Sequence, residues 1–126
     1  MNALTVAMTG ATIGSVLFGA GGVLAENFQK LNGSQIRAKF SGMEFTDEVH
    51  WGEVYETNGR LSSESMGTKR SGAWRVVKDR LCVDLEKGGG NDCYDVWTSG
   101  KKVQLRSADS NGLPLEGVLQ SPPNRR

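Results

Sequence analysis

Arg80-Leu81-Cys82-Val83-Asp84-Leu85-Glu86-Lys87-Gly88-Gly89-Gly90-Asn91-Asp92-Cys93-Tyr94-Asp95-Val96-Trp97 is the stretch on which the fold turns. Leu81, Val83 and Leu85 alternate with less apolar partners, the period of a strand that buries one face. Glu86 to Asp92, rich in glycine and charge, reads as a loop, and the alternation resumes at Tyr94 and Val96. A hairpin centred on the Lys87–Gly88 bond sets Cys82 opposite Cys93 and Leu81 opposite Tyr94. Leu81, Val83, Tyr94 and Val96 then share the other face. These are the only two cysteines, so a single connectivity exists. The bond closes a ring of about a dozen residues, an effect of roughly 2–3 kcal/mol. A redox or metal-binding role fits poorly, because the chain has no Cys-x-x-Cys and its single histidine, His50, is remote in sequence.

Short strands extend in both directions from this hairpin. Upstream, Ala73-Trp74-Arg75-Val76-Val77 reads as a strand that turns through Lys78-Asp79-Arg80. Downstream, Thr98-Ser99-Gly100-Lys101 turns into Val103-Gln104-Leu105-Arg106, and Leu113 to Leu119 supplies a last strand. Earlier, Met43 to Tyr55 reads as one strand with Val49, Trp51 and Tyr55 on one face. Asn58-Gly59 marks a hairpin, and Arg60 to Met66 returns as a polar edge strand before a turn from Gly67 to Gly72. Ser34 is the expected N-cap of a two-turn helix that lays Ile36 and Phe40 over the sheet and stops at Gly42. The expectation is a mainly β fold: an antiparallel meander of about six to seven strands, barrel-like, with one short N-terminal helix. Trp74, Val76, Leu81, Val83, Tyr94, Val96, Val103 and Leu105 form its expected core.

All 15 basic and 14 acidic residues lie beyond Ala25. Residues 1–25 are apolar and rich in glycine and alanine, ending in Val23-Leu24-Ala25. They read as a signal peptide, with a retained membrane anchor as the rival. Five glycines and several Thr and Ser make the segment a poor permanent span, although it lacks the Lys or Arg with which an export signal usually opens. Residues 26–120 are then one small β domain and 121–126 a disordered tail. Export places the cysteines in an oxidising space, the periplasm or the cell exterior. A net charge of +1 argues against nucleic acid and anionic membranes as partners. The domain itself is expected not to span a membrane and to be a monomer.

Gly72-Ala73-Trp74-Arg75-Val76, Asp79-Arg80-Leu81-Cys82 and Cys93-Tyr94-Asp95-Val96-Trp97 together resemble small exported bacterial domains of unknown function. That group reads Gly-x-Trp-x-Val, a turn, Leu-Cys, a loop and Cys-Tyr. Gly33 to Gly42 is similar to its helix, and Tyr55 to Arg60 to its hairpin. The resemblance implies a fold and a compartment; the group supplies no activity, catalytic residue or cofactor.

The residue types point away from catalysis. With one histidine, the Ser62, Ser63 and Ser65 hydroxyls lack the partners of a nucleophilic triad. Glu44, Asp47, Glu48 and Glu53 near His50 match no metal-ligand loop. Gly88-Gly89-Gly90 lacks the Lys-Ser/Thr and helix of a phosphate loop. No enzyme, metal or cofactor is expected. Trp97, Trp51 and Tyr55 are the candidate interaction face, since outward aromatics are how small β domains hold partners. The function expected is non-catalytic binding of a periplasmic or envelope protein. The alternative is an inhibitor of an exported hydrolase, a protease or lysozyme: the Cys93 to Trp97 run resembles bacterial metalloprotease inhibitors. Its inhibitory segment would be Glu26 to Leu31 or the loop at Gly88–Gly90.

Overall fold

The computed structural model describes residues 27–86, 91–107 and 112–123, together with Gly10. The segment read as a signal peptide, the tip at 87–90 and the tail from 124 lie outside the described residues. Among those described, one helix and nine strands follow in the order β1 (Gln29–Lys30), α1 (Gly33–Phe40), β2 (Met43–Thr46), β3 (Trp51–Tyr55), β4 (Arg60–Ser65), β5 (Thr68–Val77), β6 (Arg80–Leu85), β7 (Asn91–Ser99), β8 (Lys102–Ser107) and β9 (Leu115–Gln120). Consecutive strands from β2 to β9 pair antiparallel, and β9 returns to pair with β2 through Phe45↔Leu119. The result is a closed barrel of eight strands, more than the sequence alone suggested. Closure leaves no free edge in the barrel, so β4 is an interior strand rather than an edge. β1 extends the sheet beside the far half of β7.

The cysteine hairpin has the expected register: Leu81↔Tyr94, Cys82↔Cys93, Val83↔Asp92 and Asp84↔Asn91. Cys82 and Cys93 form the disulfide. Trp74, Leu81, Val83, Val96, Val103 and Leu105 are buried in one cluster, with Val76 and Tyr94 packed partly buried against it. Of the aromatic centre of that cluster, Trp74 and Phe40 were expected inside, and Phe45 and Tyr55 join them. Phe40 stands edge-on to Tyr55 (4.9 Å between ring centroids) and to Phe45 (6.0 Å), and Tyr55 to Trp74 (5.6 Å). These edge-to-face contacts suit the ring quadrupoles. The Trp74 indole N–H donates to the Glu56 carbonyl, which satisfies its polar end.

Local chemistry explains where the elements begin and end. α1 is capped by Asn32, not Ser34: the Asn32 side chain accepts from the Gln35 N–H while the Gln35 side chain accepts from the Asn32 N–H. Ile36 and Phe40 are wholly buried, so the helix closes one end of the barrel as expected. Asp47 splits the anticipated long strand in two. Its Oδ1 accepts from the N–H groups of Val49, His50 and Trp51, a turn that separates β2 from β3. β5 starts at Thr68, because Met66 and Gly67 (φ 51 and 85) make a two-residue turn where a longer loop was expected. Gly72 leaves room for the opposite strand: a Cβ there would lie 2.0 Å from the Asp84 carbonyl oxygen.

Candidate functional site

The three aromatics expected on one face lie in three different settings. Tyr55 is fully buried, on the inward side of β3, and its hydroxyl donates to Glu53 Oε2 at 2.7 Å. Strand parity requires this, since Tyr55 pairs with Met43 and Leu61 inside the barrel. Trp97 faces outward on β7, but the Arg106 guanidinium lies 4.3 Å from its ring centroid and 5.5 Å from that of Phe28. Arg106 also donates twice to Gln104 Oε1. Trp97 therefore serves as a support for an internal stack that clasps the segment before α1. Nearby, Asp95 accepts from Arg80 and pairs with Lys30. Trp51 is half-buried, edge-on to Phe45 at 5.0 Å, and borders a surface groove.

That groove, about 390 Å³, lies where the turn at 47–50 meets the turn at 66–67. The Met66 N–H donates to the His50 carbonyl at 3.0 Å, which ties the two hairpin tips together. Both tips display a large apolar side chain to solvent: Val49 is 78% exposed and Met66 77%. The floor is Gly52, with the Glu44 carboxylate lying over it and accepting from Gln120 Nε2. Glu48 and Glu64 complete the lining with His50, whose Nδ1 lies 2.8 Å from Asp47 Oδ2. Desolvation alone would raise the Asp47 carboxyl. The three backbone N–H groups and His50 outweigh it and hold the group well below the usual carboxylate range.

Periodicity could not find this site. Val49 looked like a strand residue, and the pairing of two hairpins distant in sequence brings it to Met66. A second hollow of about 430 Å³ lies between α1 and the β7–β8 turn, with Met43, Val103 and Leu119 among its walls. Ser62 and Ser63 point to opposite sides of β4 by alternation, so the serines do not assemble around His50. Among the described residues no group of three His, Cys, Asp or Glu side chains is placed to hold a metal ion, and no helix is long and apolar enough to cross a membrane. Gln29 and Lys30 pair with β7, and the Leu31 N–H donates to the Val96 carbonyl, so Gln29–Leu31 is held in the sheet. No known protein family, curated protein or solved structure matches this chain.

Proposed function

We propose that this chain is a non-catalytic binding domain of the periplasm or cell exterior that holds a protein or envelope component at the groove between its hairpin tips. The compartment is supported by the disulfide, a bond that oxidising spaces preserve. The single observation that carries the binding reading is the pair Val49 and Met66. Two large apolar side chains more than three-quarters exposed on adjoining, hydrogen-bonded tips stabilise nothing in the isolated domain. A neighbouring groove with an indole wall gives a partner somewhere to seat.

The expected pattern is recovery of a partner from periplasmic extract by the wild-type chain and by Trp97→Ala, and its loss with the double variant Val49→Asp/Met66→Asp. Unchanged melting of that double variant separates surface loss from unfolding. Equal recovery by the double variant and the wild type would overturn the assignment. The rival reading, an inhibitor of an exported hydrolase, has less to draw on: Gln29–Leu31 is committed to the sheet, which leaves residues 26–28 or the segment 88–90 as the inserting element.

A further inference from the structure

We infer that the groove between the hairpin tips accepts an extended cationic segment of a partner protein, Lys or Arg side chains alternating with apolar ones. This rests on the binding reading above and specifies the chemistry of what is bound. Glu44, Glu48 and Glu64 line the groove, and no Lys or Arg does. The chain as a whole carries a net +1, so the local excess of acid is a feature of this place. Among the described residues the Glu48 and Glu64 carboxylates make no ion pair. Lys69 faces Glu64 across the β4–β5 register yet does not pair with it. Asp47 is already occupied by its own turn.

Three carboxylates around one groove repel each other, and a bound cation relieves that repulsion while gaining charge-assisted hydrogen bonds. The apolar parts fit the same ligand. Met66 and Val49 offer surface to the methylene stem of a Lys or Arg and to flanking apolar residues. Gly52 keeps the floor low: a Cβ there would come 3.0 Å from the Glu44 carboxylate.

The test is fluorescence anisotropy with the full chain and a dye-labelled peptide alternating Arg and Leu, beside a counterpart alternating Glu and Leu. The expected result is binding of the Arg peptide with a Kd on the order of 10 μM. It should weaken steeply with salt and fall about tenfold or more in Glu48→Lys/Glu64→Lys, with Glu86→Lys, away from the groove, unchanged. Equal affinity in the double variant, or equal binding of the Glu peptide, would overturn the inference. So would binding that arises only when Arg125 and Arg126 are replaced by Ala, since the chain's own tail would then be the occupant. Loss of the partner from extract in Val49→Asp/Met66→Asp without any peptide binding would leave the binding reading standing and remove the cationic one.

Discussion

Glu53 is the residue whose chemistry is most at odds with its surroundings. The register Phe45↔Glu53↔Ser63 turns it into the barrel, and burial raises its carboxyl above the ordinary value of 4.5, while the bond from Tyr55 pulls the other way. The Tyr55 hydroxyl is itself held well above its ordinary range by burial first and by Glu53 second, so it remains a donor. A carboxyl whose folded-state pKa is raised binds its proton more tightly when folded. Stability from this group is therefore present below 4.5 and is lost as pH rises through the raised value. Chemical denaturation from pH 4.5 up to neutrality should show wild-type stability falling through that window. Glu53→Gln should flatten the fall and be the more stable protein at neutral pH. An unchanged slope in the variant would show that Glu53 does not set it.

Two hairpins show how elements are fixed by different means. The β5–β6 turn uses Lys78 and Asp79 at φ 47 and 59, a conformation that costs Lys78 and that Asp79 tolerates better than most residues. Asp79 is held by a second duty: its carboxylate accepts from the Gly33 N–H at the start of α1, so the turn and the helix hold each other. The β6–β7 hairpin relies on the covalent bond across its register pair. Reduction or Cys82→Ala/Cys93→Ala should cost roughly 2–3 kcal/mol by release of loop entropy in the unfolded chain. For a domain this small that lowers Tm by roughly 10–20 °C. A calorimetric shift of only a degree or two would show that the strand pairing alone holds the hairpin.

At the scale of the molecule the decisive contact is the seam between β2 and β9, which converts a meander into a barrel. Gly117 makes it close. A Cβ there would lie 2.6 Å from the Thr46 carbonyl oxygen and 2.8 Å from the Phe45 ring. Gly117→Ala should therefore cost about 1–3 kcal/mol, the usual range for overpacking. Because the seam encloses one shared core, near- and far-ultraviolet circular dichroism should still lose signal in a single coincident transition. Separate transitions would show that the seam opens on its own. Closure also protects the molecule, since a barrel presents no long unpaired edge to another chain.

Local residue pattern accounts for the period of two, the cysteine register, the turn at Lys78–Asp79 and the helix that carries Ile36 and Phe40, because each depends on neighbours or on a hairpin. Its misreadings were of two kinds, local turns that leave no mark on the period and pairings set at a distance. Asp47 ended a strand through its side chain, and Met66-Gly67 turned without a conventional pair of small residues. Tyr55, plausible outside by composition, was drawn inside by pairing with Met43 and Leu61. The groove was beyond local reading altogether. Val49 and Met66 are neighbours only because β3 pairs with β4 and the Met66 N–H finds the His50 carbonyl, and such pairings are selected by the energy of the closed core rather than by either segment alone.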